Sequence, residues 1–224
     1  MKNPAMTLTL RALAHLLGYP DAALRGHLGE LREALHREGA LGAARQAELD
    51  ALIARLAGPR TYDTEAAYVE TFDRGRGTAL HLFEHVHGDS RDRGPAMVDL
   101  VKTYEAAGLF LAPGELPDHL TVVLEYASTQ PPAAAGEFLR EIAHILQAIF
   151  SALLRRQSPY ASVIAAVLDL AGEKAQAVKL PDEPALDESW EEPAAFGGCS
   201  TQGQARPDQP QPIRIHKSAP GARA

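Results

Sequence analysis

AAAGEFLREIAHILQAIFSALLRRQ, residues Ala133 to Gln157, is the stretch that decides the fold. Phe138, Ile142, Ile145, Leu146, Ile149, Phe150, Leu153 and Leu154 recur at spacings of three and four, the period of an α-helix. The apolar face is wide, so the spacing predicts one long helix, about 133–157, at the centre of the molecule. Pro131-Pro132 marks its start. Beyond it, Pro159 opens another helix carrying Val163, Ile164, Val167, Leu168 and Leu170.

The same period recurs toward the N-terminus. Residues 6–17 place Leu10, Leu13, Leu16 and Leu17 on one face, and Gly18-Tyr19-Pro20 stops that helix. Asp21 is placed to cap the next, where Leu24, Leu28, Leu31 and Leu35 form a stripe that ends at Gly39 and Gly42. A third helix, about 43–57, carries Leu49, Leu52, Ile53 and Leu56. These three read as core helices, and each buried leucine stabilises by roughly 1.5–3 kcal/mol. Helical spacing resumes over 61–72, with Tyr68 and Phe72 four apart. A flexible basic turn at 73–77, a short amphipathic piece from Leu80 to Val86 and turn chemistry at Gly88-Asp89-Ser90 follow. Gly94-Pro95 opens a helix whose face is Met97, Leu100, Val101 and Tyr104. Asp118 is placed to cap a helix running to about Ala127.

No strand signal exceeds four residues and no internal repeat is present, so the class is all-α: a single-domain helical bundle over residues 6–174. Residues 175–224 have a different composition. Seven of the 16 prolines lie in Pro181–Pro220, and an acidic run surrounds Trp190. Such a Pro-rich, partly acidic segment cannot bury enough apolar surface to offset its ordering entropy, and a mostly disordered tail is expected. Trp190 and Phe196 are its two groups able to dock on the body or on a partner.

Composition narrows the function. The chain has 224 residues, a net charge of −7 and 46% hydrophobic residues. A general nucleic-acid binder carries a basic surplus, which is the opposite of this balance. The single cysteine, Cys199, excludes an intramolecular disulfide and suits a reducing cytoplasm. The N-terminus reads as an amphipathic helix interrupted by Arg11 and His15 rather than a signal peptide. No run of eighteen apolar residues is present to span a membrane.

The densest chemistry lies in Leu80–Gly94, LHLFEHVHGDSRDRG, which holds His81, His85 and His87 beside Glu84, Asp89, Arg91, Asp92 and Arg93. His81-Leu82-Phe83-Glu84-His85 fits the H-x-x-E-H pattern of inverted zinc peptidases, in which histidines four apart on a helix share a zinc and the glutamate activates water. A third ligand is required, and Glu137 and Glu141 qualify only by position. No nucleophile elbow surrounds Ser90, and Gly75/Gly77 lack the phosphate-loop pattern. The plainest alternative is a polar helix face whose histidines bond to Asp89, Asp92 or backbone. The block also offers an apolar floor (Leu82, Phe83, Val86) with acids around it, which suits a groove for a peptide bearing basic residues.

Three segments also resemble the signature of the respiratory nitrate reductase assembly chaperones: Tyr68-Val69-Glu70-Thr71-Phe72-Asp73, Leu80 through Gly94, and Ala96-Met97-Val98-Asp99-Leu100. These are the delta-subunit (NarJ) type within the wider TorD-like group of molybdoenzyme chaperones. The resemblance continues through Tyr104, Gly108-Leu109 and Glu115-Leu116-Pro117-Asp118, and takes in Leu16-Leu17-Gly18-Tyr19-Pro20 and Trp190-Glu191-Glu192-Pro193 with Phe196. It implies an all-helical, non-catalytic cytoplasmic protein with no cofactor of its own. The implied partner is the N-terminal segment of the apo nitrate reductase catalytic (alpha) subunit, held while the molybdenum cofactor is inserted and before membrane docking. Molybdenum-cofactor delivery proteins are implied as further partners. Related chaperones carry a glutamate-proline-aspartate-histidine motif at the peptide groove, and Glu115-Leu116-Pro117-Asp118-His119 is similar to it.

The expected peptide-binding residues are therefore Tyr68, His81, Phe83, Glu84, His87, Asp89, Arg91, Asp92, Arg93, Asp118 and His119. The rival readings are a zinc metallopeptidase using His81, Glu84 and His85, and a helical adaptor for another complex. Metal analysis separates the first rival cheaply. Purified, folded protein is expected to contain no stoichiometric zinc, whereas one zinc per chain that is lost on His85→Ala would favour the peptidase.

Overall fold

The structure is a computed structural model, and it describes residues 5–87 and 91–179. Ten α-helices run through these residues: α1 (Thr7–Leu16), α2 (Ala22–Glu38), α3 (Ala43–Leu56), α4 (Thr61–Phe72), α5 (Leu82–Val86), α6 (Arg93–Ala106), α7 (Leu120–Thr129), α8 (Pro132–Glu141), α9 (Ala143–Arg155) and α10 (Ala161–Leu170). A single 3-10 turn, Arg76–Thr78, joins α4 to α5. None of the described helices is long and apolar enough to cross a membrane.

Local chemistry explains most of the boundaries. The Asp21 carboxylate accepts from Leu24 N at 2.8 Å and caps α2, as its position suggests. Gly39 closes that helix at φ 62, a left-handed conformation costly for a side chain with a Cβ. Pro132 occupies the first turn of α8, where a missing N–H costs nothing. The start of α1 has no cap of its own. Glu38, at the far end of α2, supplies one: its carboxylate accepts from Leu8 N at 3.1 Å and Thr9 N at 2.7 Å.

The bundle is built around α1 and α10. α1 packs against α2 and α7, while α10 packs against α1, α3, α8 and α9. Leu10, Leu13, Leu49, Leu52, Leu124, Leu146, Val163 and Leu168 are sealed within this core. The single long helix expected over 133–157 is in fact two. The chain breaks at Ile142, where ψ is 4°, to give α8 and α9. Its apolar face is too broad for one partner; after the break α8 packs against α7 and α9 against the 3-10 turn and α5. The most thoroughly buried helix is α10, in which only Ser162 and Asp169 escape the core. The apolar face foreseen on α6 is also shallower than expected, since Tyr104 alone is buried.

Two non-local ties place the elements around the candidate site. Tyr68 on α4 donates its hydroxyl to Leu17 O at 2.7 Å, and its ring packs tilted against Phe72 and edge-on against Tyr160. Arg156, just past α9, donates to the Glu70, Thr71 and Arg74 carbonyls at the end of α4. Gly75 adopts φ 147, a conformation that side chains with a Cβ rarely take, and this accounts for the glycine. The first residues of the Pro-rich segment run along α9: Gln147 donates to Lys174 O and accepts from Gln176 N, and Ser151 Oγ accepts from Val178 N. Trp190, Phe196 and Cys199 lie outside the described residues, as does Asp89 with the Gly88-Asp89-Ser90 turn.

The borrowed cap of α1 is testable. Glu38→Ala removes two acceptors and a negative charge from a helix N-terminus and is expected to cost about 1–2 kcal/mol. Urea unfolding should show a lower midpoint at unchanged slope. An unmoved midpoint would show that α1 does not depend on this contact.

Candidate functional site

Leu80 to Leu82 and Asp118 to Leu120 run side by side in opposite directions. Leu120 N donates to Leu80 O at 2.8 Å, and Leu82 N donates to Asp118 O at 3.0 Å. These two bonds bracket His81 and His119, which form an isolated antiparallel bridge. Such a position is a non-hydrogen-bonded pair, the arrangement that brings opposed side chains closest. The two imidazoles accordingly meet edge to face, with centroids 4.9 Å apart.

Asp118 lies at the centre. Its side chain is fully buried, and it does not cap α7 as its sequence position suggested. Instead it turns back toward α5. Oδ2 accepts from Phe83 N at 3.1 Å, satisfying a free N–H in the first turn of that helix. Oδ1 lies 3.4 Å from His81 Nδ1. Arg93 Nη2 lies 3.8 Å from Asp118 Oδ2 and 3.7 Å from Glu84 Oε1, so one guanidinium serves two carboxylates across distances too long for hydrogen bonds. Burial opposes ionisation of Asp118. The hydrogen bonds from His81 and Phe83 N–H, with the charges of His81 and Arg93, outweigh it and hold the carboxyl below its ordinary range. The hydrogen bond to Asp118 raises the His81 pKa against the opposing effect of burial. His119 is shifted the other way, by burial first and the neighbouring His81 charge second.

A cleft of about 290 Å³ opens beside this pair. Tyr68, Phe72 and Leu80 form its floor; Asp73, His81, Glu84 and His119 stand around it. The floor differs from the one expected. Leu82 faces the core, Phe83 pairs edge-on with His87 at 5.5 Å, and Val86 is 52% exposed. The reason is geometric: α5 has only five residues, and its buried face is used up by Leu82. Of the expected residues, Tyr68, His81, Glu84, Arg93, Asp118 and His119 gather here. Arg91 and Asp92 are exposed at the start of α6 and do not line the cleft, and Phe83 and His87 form their own ring pair. The Tyr68 hydroxyl is committed to Leu17 O, so this residue contributes a wall and no free donor.

The arrangement removes the basis of the zinc motif. His81 precedes α5 in an extended conformation, so it shares no helix face with His85. The His85 ring donates to Ala79 O at 2.8 Å while His81 turns to Asp118. Among the described residues no group of three or more His, Cys, Asp or Glu side chains is placed to hold a metal.

Two features escaped the sequence. Phe72 and Asp73 complete the cleft; their helical spacing from Tyr68 was legible, but not their approach to His119. A second groove, of about 380 Å³, lies between α1, α7 and the loop after α6. Arg11, Tyr104, Phe110, Val122 and Tyr126 line it, with the Phe110 ring 79% exposed. Its lining comes from segments far apart in the chain, so no local pattern announces it. The Tyr104 hydroxyl donates to Pro117 O at 2.8 Å and ties this loop to the residue preceding Asp118.

Comparison with known proteins agrees with the resemblance seen in the sequence. Residues 20–166 match the family model described as nitrate reductase delta subunit. The nitrate reductase molybdenum cofactor assembly chaperone NarJ of Escherichia coli K12 is 43% identical over 195 residues, covering 83% of each chain. A Bacillus subtilis protein named as a probable chaperone of the same kind is 30% identical, over 75% of this chain and 90% of its own. A crystal structure from Archaeoglobus fulgidus, described as a redox enzyme maturation protein, matches with a TM-score of 0.53. It covers 75% of this chain and 94% of its own at 18% identity, which is a likeness of fold. The Escherichia coli and Bacillus subtilis relatives are both named for assembly and not for catalysis. With a family model spanning most of the helical body and a relative this similar along most of its length, the chain belongs to the nitrate reductase delta subunit family.

Proposed function

We propose that this protein is a cytoplasmic chaperone of nitrate reductase maturation that holds the N-terminal segment of the apo catalytic subunit. On this reading it supports molybdenum-cofactor insertion and delays membrane docking, working alongside cofactor-delivery proteins. The observation that carries the proposal is the 43% identity, over 83% of the chain, to a protein named for molybdenum cofactor assembly. The cleft supplies a physical account of the binding step. Tyr68, Phe72 and Leu80 offer apolar surface for an anchor, and Asp73 and Glu84 offer acceptors for a basic side chain. Apolar burial supplies most of the affinity in such a contact and charge most of the selectivity.

Calorimetric titration with a synthetic peptide copying the N-terminus of the cognate catalytic subunit is expected to give saturable binding. Glu84→Lys, which reverses a half-exposed rim charge, should weaken it about tenfold or more. Binding no tighter than the millimolar range by the wild-type protein would sink the proposal.

Acidity enters in two ways. As pH falls from about 8 to 5, imidazoles gain protons. His81 and His119 then add positive charge beside Asp73, Glu84, Arg93, Asp118 and Glu115, and affinity for a basic peptide should fall. A flat response would remove the histidines from the binding step. Stability responds group by group, and the lowered His119 pKa works against the raised one of His81. The His81 pKa is raised on folding, so its contribution is full below its unfolded value near 6.5 and fades as pH rises through the folded one. The Asp118 pKa is depressed, so its contribution is present above its unfolded value near 3.9 and is lost as pH falls through the folded one. Asp118→Asn should therefore destabilise most between about pH 4 and 6.5 and less at pH 8. A loss that is constant with pH would show that the pairing with His81 contributes nothing to stability.

A further inference from the structure

Arg93 places a guanidinium within the cluster, and its permanent charge opposes the ligand chemistry proposed above. It is the first residue of α6, and its guanidinium lies between the carboxylates of Glu84 and Asp118 at 3.7 and 3.8 Å. Both separations exceed hydrogen-bond length, so neither contact has the short, aligned geometry of a strong arginine–carboxylate pair. The side chain is 28% exposed, as is 31% of Glu84, so water reaches the pair. α6 itself buries only Tyr104, near its far end. Its first turn is only partly buried, and these long ionic contacts link it to α5 and Asp118. Asp118 has closer partners in Phe83 N–H and His81, and Arg93 adds only a longer-range charge to them. Glu84 has no other cation within ion-pair distance among the described residues, and it is the carboxylate that also faces the cleft.

From this geometry we propose that Arg93 is an internal stand-in for the ligand's cation. In the free protein it occupies Glu84 and lowers the net negative charge of the rim formed by Asp73 and Glu84. A lysine or arginine of the bound segment takes over Glu84, and Arg93 with the first turn of α6 moves away. The residue thereby sets a threshold: a segment without a basic side chain cannot displace it, and an apolar segment alone gains no access to the Glu84 carboxylate. Arg93 is a specificity-determining residue acting by competition, and this role rests on the peptide-binding reading above.

The test compares wild type with Arg93→Gln in calorimetric titrations. One probe is the synthetic N-terminal peptide of the cognate catalytic subunit; the other is a copy with every Lys and Arg replaced by Gln. Removing the competitor is expected to tighten binding of the basic peptide about three- to tenfold, while leaving the neutral copy within about twofold of wild type. Urea unfolding confirms that the variant is folded, and Arg93→Lys, which keeps the charge, should bind as wild type does. Equal or weaker binding of the basic peptide by folded Arg93→Gln overturns the stand-in and makes Arg93 a contact or a support for Asp118. Equal tightening for both peptides also overturns it, because the gain would not depend on the ligand's charge. Failure of the wild-type protein to bind either peptide would instead overturn the peptide-binding reading itself.

Discussion

One buried carboxylate organises the candidate site. Asp118 has no exposed surface, and an isolated charge in that position is costly unless hydrogen bonds and opposite charge compensate it. The compensation comes from a different part of the chain: the Phe83 N–H, the His81 ring and the Arg93 guanidinium. Phe83 N would lack a partner at the start of α5, and a five-residue helix is far below the length that is stable alone in water. Asp118 therefore stabilises α5, and α5 in turn permits Asp118 to be buried. Neither half of the site is formed without the other.

That reciprocity explains which parts could be read from the sequence. Helices announce themselves through spacing within a dozen residues, and α1, α2, α3, α4 and α10 lie close to where the leucines and prolines place them. The Asp21 cap was legible for the same reason, because its acceptor and donor are three residues apart. Asp118 has the same local appearance and behaves otherwise. Its position before Leu120 suggests a cap for α7, but its oxygens reach residues 35 and 37 positions away. A local rule cannot separate the two cases, since the choice depends on which N–H groups the tertiary fold leaves without partners. The break at Ile142 is another tertiary decision. Continuous spacing shows that both halves are apolar on a consistent face, and only the packing against α7 on one side and α5 on the other shows that the face must turn.

The residues of Leu80–Gly94 divide for a related reason. Concentration of histidine and acid in the sequence suggested one shared centre, but the chain changes conformation within the block. His81 is extended, so it pairs across to His119; His85 is helical and turns to the Ala79 carbonyl. A zinc site requires both on one face, and the start of α5 after His81 prevents it. The family resemblance spans the Tyr68, Leu80 and Asp118 segments together. Those three segments are what the fold assembles, although their individual roles were not evident from any of them.

The aromatic wall beneath the cleft connects this site to the core. Tyr68 and Phe72 line the cleft, and both rings meet Tyr160 edge to face, at 5.8 and 5.0 Å, immediately before the most buried helix. Tyr68 is also bonded to the end of α1. The cleft floor is thus continuous with the close-packed interior, where small displacements are resisted. The rim is built differently. Glu84 and Arg93 are half-exposed, and they hold each other across a long ionic contact at the junction of a very short helix and a shallowly packed one. A rigid apolar floor with an adjustable charged rim can keep one anchor geometry while exchanging an internal cation for a ligand's cation. In this fold the exchange would require movement of the first turn of α6, while the floor and the Asp118 hydrogen bonds to Phe83 and His81 stay in place.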